Sequence, residues 1–474
     1  MAGRKCVMAF LSGWNQFNRI KITLDKDNFD STESDFPNMV HISEPLGLSC
    51  VFDELGSNAN RKKIAFTSAD GTTELYAEIE LFDYDNNEAW MHVLIPSASS
   101  SIDTTIYLYF DSNHADNTTY IGDSNDAIVH NVWNTDFKAV WHMAQDPDGD
   151  GADAIKDSTS NALDLTPNGS MTSADLVDGK VGKAIDFDGT DDDLEANGSS
   201  LNLSSDDFEF NFTINFNNLP TNGGEADQIF NLANPTPDRR SYLLDLMQSG
   251  GVLYLRFQAF NGTATPTIFV QRTVTLSTDT WYNFSIRRAG SDVHVYQNGA
   301  ELSTATTIGS PTIYDNTDDS FFIGSYNGIW SLGDFIIDEF RITIGDSRSA
   351  SWVKATYHSL WDSMNTFSEI PISGTINLVN NLLDFIAVSG SIDLINSLQL
   401  GSTVDLVNSL NQRINGDINI INSILQRLEG ELNLVMDIEE RTKVFGTLDL
   451  LNRILDSGNG VTQNNYEFSK GHGL

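Results

Sequence analysis

The sharpest chemical motif in the sequence is the acidic run Asp146-Pro-Asp148-Gly-Asp150-Gly, followed by Asp157 at the twelfth position. Carboxylates on alternate residues converge on a hard cation, glycine permits the turn between them, and position twelve supplies a closing oxygen, so the spacing points to Ca²⁺. The flanks FKAVWHMAQ and STSNALDL lack the helical period of an EF-hand, and a solvated acidic loop is the competing reading. A second acidic run, Asp186, Asp188, Asp191, Asp192 and Asp193, contains the Asp188-Gly189 pair of a tight turn. Asp338 and Glu339 read as structural carboxylates facing Arg341 or Arg348.

Glycan hydrolysis needs two carboxyl groups flanking the scissile bond. The run Glu78-Ile-Glu80-Leu-Phe-Asp83 resembles the carboxylate strand of laminarinase-type hydrolases, but it falls in the first of two β-rich units. It reads as an ordinary strand, so no catalytic residue is assigned. The eight histidines are scattered without zinc-ligand spacing. For ligand binding the candidates are Tyr314, Tyr326 and Trp330, whose rings could stack on sugar faces while Asn and Asp side chains bond the hydroxyls.

Those residues need a scaffold, and composition limits what it can be. The chain has 474 residues, 40% apolar and 10% aromatic, enough to fill two or three cores. Asn, Asp, Ser, Thr, Gly and Ile dominate, and helix-forming runs are missing, so the class is mainly β. There are 66 acidic and 27 basic residues, a formal net charge of −39, which disfavours nucleic acid and anionic lipid as partners. Two cysteines, Cys6 and Cys50, rule out a disulfide scaffold and leave free thiols or one bridge. The opening apolar stretch, Cys6 to Leu11, is too short for a secretion signal, and no membrane insertion is expected.

Period-two apolar runs bounded by polar turns divide the chain. Residues 1–125 read as an N-terminal β-sandwich, with strands in RIKITL, KKIAFTSADG and AWMHVLIPSA and a polar connector after residue 112. Residues 126–369 read as a larger two-sheet jelly roll, closed by a short amphipathic helix in SRSASWVKATYHSLW. Residues 370–458 carry six copies of a short repeat, whose polar positions Asn377, Asp393, Asp405, Asn419, Asn433 and Asp449 lie 16, 12, 14, 14 and 16 apart. A unit this short cannot bury its own apolar face, so copies must stack on each other or on sister chains. A β-solenoid or intertwined stalk, with a trimer favoured, competes with short amphipathic helices. Residues 459–474 form a polar tail.

The first unit resembles an uncharacterised β-sandwich domain of archaeal, bacterial and phage proteins, in GWNQFNRIKITLD, DFPNMVHIS and TTIYLYFDSNHAD. The second resembles the concanavalin A-like, laminin-G-type jelly roll, in FKAVWHM, GKVGKAIDFDGTDD, WYNFSIRR and IDEFRITIGDSRSASWVKATYHS. That superfamily includes lectins, adhesins and some glycan hydrolases, so the resemblance implies a fold without choosing a function. Together with the repeats it leads to the expectation of a non-enzymatic virion protein, a fibre, spike or surface adhesin. Such a protein would be a homo-oligomer meeting other virion proteins and host-surface glycans. A cellular secreted or surface adhesin is the alternative, and a glycan hydrolase the distant one.

Overall fold

The computed structural model describes residues 10–369, save 16–17, 125, 149–150, 152, 222–225 and 236–237, and beyond them the backbone of six short strands between 376 and 453. Cys6, Asp150 and the polar tail lie outside the described residues. The chain divides into two compact units, Met1–Glu369 and Ile370–Leu474.

The first unit is built from two β-sandwiches. In the N-terminal one, alternation places Ile20, Ile22 and Leu24 of strand Arg19–Leu24 inward. A five-stranded sheet runs Asn365–Glu369, Arg19–Leu24, Thr104–Phe110, Ile64–Ser68 and Glu74–Leu75. It faces a four-stranded sheet of Glu33–Ser43, Glu88–Ala98, Ala77–Asp83 and Ile121–Asp123. The last of these falls in the stretch read as a connector, and it pairs parallel with Ala77–Asp83. A short helix, Ser49–Leu55, buries Val51, Phe52 and Leu55 and holds Cys50. Its end is set by Gly56 at φ 72°, a left-handed cap that favours glycine.

In the second sandwich a seven-stranded sheet runs Thr166–Asn168, Asp193–Asn197, Ser320–Ile323, Ala226–Pro235, Asp238–Ser249, Val252–Phe260 and Pro266–Val274. Its partner sheet centres on Lys183–Asp188, Asp334–Ile344, Phe208–Phe216 and Trp281–Ala289, with Phe137–Trp141 paired to Asp334–Ile344. Between them lies an aromatic core in which Phe208, Phe210, Phe212, Phe230, Tyr242, Phe321 and Phe340 are fully buried. The rings of Phe210 and Phe230 lie 4.5 Å apart. Each such side chain contributes about 1.5–3 kcal/mol by leaving water.

The outward face of Phe208–Phe216 and Trp281–Ala289 is also buried, yet it is polar: Glu209, Asn211, Ser285 and Arg287 occupy it. After Ile344 the chain returns to the first sandwich. Ser349 caps helix Ala350–Leu360 by accepting from Trp352 N at 2.9 Å. The expected amphipathic helix is therefore present, but it packs on the N-terminal core. Trp352 meets Phe36 edge-on at 5.0 Å, and Ser351 Oγ accepts from the amides of Asp30 and Ser31. Strand Asn365–Glu369, at the end of the stretch read as jelly roll, adds to the N-terminal sheet beside Arg19–Leu24.

In the second unit the repeat cores are strands. They pair in parallel as alternate copies, Ile376–Asn381 with Val404–Ser409 with Leu432–Asp437, and Ile392–Ile395 with Ile418–Ser423 with Leu448–Arg453. The register aligns Asn377 with Asp405 and Asn433, and Asp393 with Asn419 and Asp449.

Candidate functional site

Strands Ser320–Ile323 and Asp334–Ile344 are joined by a loop that holds apolar side chains in solvent. Ile329 is 60% and Trp330 50% exposed. The loop is fixed rather than loose. Tyr326 N donates to Trp330 O at 2.7 Å, and Gly333 N to Gly324 O at 2.8 Å. Ser325 Oγ donates to Asp193 Oδ2 at 3.0 Å and accepts from Gly328 N at 3.0 Å. Asn168 Nδ2 holds the other oxygen of Asp193 at 2.8 Å, and Asn231 Nδ2 donates to Ser325 O. Gly324, at φ +90°, has no room for a side chain, since a Cβ there would lie 2.6 Å from the Phe187 ring.

Tyr326 and Trp330 are brought together, their rings 6.3 Å apart and tilted by 34°. Tyr326 is half-buried, and burial raises its hydroxyl pKa against the lowering effect of Arg240, which hydrogen-bonds it. Tyr314 lies on a different loop, its ring against Gly262 and its amide donating to Phe260 O at 2.8 Å. Arg240 also sits 5.9 Å from the Phe260 ring. Exposed aromatic faces beside a guanidinium and amide groups can stack on and bond to a polar ligand.

The second acidic run adjoins this loop: a Cβ on Gly324 would lie 3.3 Å from Asp192 O. Asp188 Oδ1 accepts from Thr190 N at 2.7 Å, and Asp192 Oδ2 from Asp188 N at 3.1 Å, so the run is the tight turn its residues imply. Asp188, Asp191 and Asp192 nonetheless each offer an oxygen within 4.8 Å of the others. Asp192 is 3% exposed, and its Oδ1 has no hydrogen-bond partner. Burial, with the charges of Asp188, Asp175 and Asp191, pushes its carboxyl up to about 6. Such a carboxyl is one a hard cation would keep ionised.

In the first acidic run, Asp146 Oδ1 caps Asp148 N at 2.9 Å, and Asp148 is exposed. Asp157 is buried and accepts from the amides of Val140, Thr159 and Leu163 and from Thr159 Oγ1, all within 3.0 Å. Its carboxylate thus ties the loop to the sheet. Beside that loop an open, polar pocket of about 500 Å³ is lined by Asp153, Asp164, Glu195, Asp318 and Asp319 among others.

The side chains of Glu78 and Glu80 are buried, against His142 and His92. Glu339 does face Arg341, whose Nε lies 3.1 Å from Glu339 Oε2. Asp338 instead accepts from the amides of Lys180 and Val181 at 2.8 and 2.9 Å. Two of the scattered histidines, His92 and His142, also meet here, in a second constellation able to ligate a metal: Glu80, His92, His142 and Glu339. No local spacing could reveal it, because the four come from four separate strands or strand ends.

The family model of the concanavalin A-like lectin/glucanases superfamily matches residues 188–354. This stretch is a concanavalin A-like, laminin-G-type domain. No curated protein matches the chain. Among solved structures, domain 4 of an extracellular arabinanase from Geobacillus stearothermophilus, in complex with arabinotriose, is similar at 20% identity and a TM-score of 0.34, over 46% of this chain and 96% of that one. The botulinum neurotoxin serotype G binding domain is similar at 14% identity and TM-score 0.34, over 46% and 50%. The serotype D binding domain is similar at 12% and 0.34, over 47% and 51%. The chain spans about half of each neurotoxin domain. Among the described residues no helix is long and apolar enough to cross a membrane.

Proposed function

We propose that the chain is a non-enzymatic recognition protein whose concanavalin A-like domain binds surface glycans through the Tyr326–Trp330 loop. The observation that carries this reading is Trp330, half in solvent on a loop anchored through Ser325 and Asp193 to neighbouring strands. A rigid exposed aromatic loses little entropy on binding and offers a face to a sugar ring. The acidic turn at Asp188–Asp192 lies beside it with three carboxylates that could hold a cation, and a Ca²⁺ bound there would orient hydroxyls.

The repeats suit an assembly role. Copies that stack need neighbours, and a multimeric display multiplies weak glycan sites by avidity. On this reading the protein is a fibre, spike or surface component of a virion, with sister chains and other virion proteins as partners. A cellular adhesin would use the same chemistry in another setting. The test is glycan-array binding of the full chain against Trp330→Ala, with the mass of each measured by light scattering. Binding by the wild type, lost in the variant at unchanged mass, supports the reading. An array without a ligand, or undiminished binding by the variant, overturns the assigned site.

A further inference from the structure

Where the two sandwiches of the first unit meet, ionisable groups are buried at a density that needs explaining. The side chains of Glu78, Glu80, His92, His142 and Glu339 are fully shielded from solvent, and Asp338 is buried beside them. Four carboxyl groups converge, while the guanidinium hydrogen-bonded to the cluster is that of Arg341. Buried charge of one sign is costly unless it is compensated by protons or a cation.

The backbone is shaped to aim these side chains. Between Ala77–Asp83 and Glu88–Ala98 the register passes from Ile79↔Met91 to Leu81↔Trp90, leaving Glu80 as the extra residue of a β-bulge. Between Phe208–Phe216 and Asp334–Ile344 it passes from Asn211↔Arg341 to Thr213↔Asp338, so Glu339 also sits in a bulge, at φ 52°. Both carboxylates of the quartet therefore occupy bulges, a device that redirects a side chain, and a left-handed glutamate is a strained one.

The atoms that meet are Glu80 Oε2, His92 Nε2, His142 Nδ1 and Glu339 Oε1. His92 Nε2 lies 3.0 Å from Glu80 Oε2 and 3.5 Å from Glu339 Oε1, and His142 Nδ1 lies 3.6 Å from Glu80 Oε2. A tetrahedral zinc with bonds of about 2.1 Å separates its ligands by about 3.4 Å. His142 Nδ1 and Glu339 Oε1 are in hydrogen-bond contact, and this pair must open to reach that spacing. A supporting shell is present. Arg341 holds Glu339 Oε2, turning Oε1 toward the histidines. Glu78 Oε1 stands 3.3 Å from His142 Nε2, while Glu78 accepts from Trp133 Nε1 and Ser158 Oγ at 2.6 Å each. A carboxylate behind a ligating histidine fixes its tautomer and strengthens it as a donor. Three buried atoms of the quartet, Glu80 Oε1, His92 Nδ1 and His142 Nε2, have no hydrogen-bond partner, so the protein's own hydrogen bonds do not account for the cluster as it stands.

We propose that Glu80, His92, His142 and Glu339 form a closed structural site for one zinc ion that staples the two sandwiches together. Four protein ligands with no solvent-facing position mark a structural rather than a catalytic site. The site is independent of the glycan reading.

The test uses the full chain, purified without a histidine tag, stripped with a chelator and titrated with Zn²⁺ and Co²⁺. The expected result is one tightly held zinc per chain, a rise in the unfolding temperature, and the strong visible absorption of tetrahedral Co²⁺. Glu80→Gln with His92→Gln should lose that equivalent, whereas Asp188→Asn with Asp191→Asn should keep it. Glu78→Gln should weaken binding by about 10–100-fold. A wild type that retains no stoichiometric zinc, or that gives only the weak spectrum of six-coordinate Co²⁺, overturns the site without reference to any variant's folding. So does an equivalent that survives the double substitution at Glu80 and His92.

Discussion

Arg341 reaches back two residues across a β-bulge to hold Glu339 Oε2, and Glu339 in turn meets His142. Burial opposes ionisation of Glu339, but His142 and Arg341 outweigh it and hold the carboxyl well below its usual range. Its neighbour Asp338 goes the other way: burial and the Glu339 charge push it well above. Adjacent carboxyls thus shift in opposite directions, because Glu339 faces His142 and the Arg341 guanidinium whereas Asp338 has only two amides to set against burial and the Glu339 charge. Removing one partner of a buried pair leaves the other uncompensated, at about 3–5 kcal/mol. Arg341→Met should therefore destabilise the first unit by that order in chelator, measured by denaturant unfolding, and Arg341→Lys should recover only part of it because it lacks the fork.

Two tryptophans separate binding from folding. Trp330 is half exposed, so Trp330→Ala should shift stability by no more than about 0.5 kcal/mol. Trp141 is fully buried, and its Nε1 donates to Leu163 O at 2.7 Å. Trp141→Ala should cost about 3–5 kcal/mol. Thermal unfolding of both variants checks this: equal losses would show that the Trp330 loop is part of the core rather than a platform on it.

Asp192 makes the stability of the fold depend on pH. Its folded carboxyl is raised to about 6, above the unfolded value of about 4. The folded state then binds the proton more tightly, so the contribution is present below about pH 4 and is lost as pH rises through about 6. Asp192→Asn should remove this slope and gain on the order of 1 kcal/mol at neutral pH in chelator. Unfolding curves at stepped pH test it. Ca²⁺ should restore wild-type stability at neutral pH but leave the Asn variant unchanged, if the turn holds that ion.

The fold was legible where one residue type repeats at a local period. Ile20, Ile22 and Leu24 announce a strand, and Phe208, Phe210 and Phe212 another. Glu339 facing Arg341 was legible too, because opposite charges two residues apart share a neighbourhood whatever the local twist. The quartet around His92 and His142 was not, since bulges at Glu80 and Glu339 break the very alternation from which side-chain direction is inferred. Nor did the sequence distinguish Asp157 as a cap from Asp157 as a cation ligand, because both need one carboxylate at the same place in a turn.

Stability with and without Ca²⁺ separates the two roles of Asp157. Asp157 Oδ1 accepts from Val140 N and Thr159 N, and Oδ2 from Leu163 N and Thr159 Oγ1. An asparagine there keeps one acceptor oxygen but turns an amide toward two donors, leaving buried donors unsatisfied at about 1–3 kcal/mol each. Asp157→Asn should destabilise the first unit by about 2–4 kcal/mol, and by the same amount in Ca²⁺ as in chelator. Its effect on stability is read by urea unfolding under both conditions. A loss confined to Ca²⁺-containing buffer would instead make Asp157 a ligand, with the amide contacts as its second shell. A loss common to both assigns it to the loop that ties Leu163 and Val140 together, next to the ring of Trp141 on which the jelly-roll core is built.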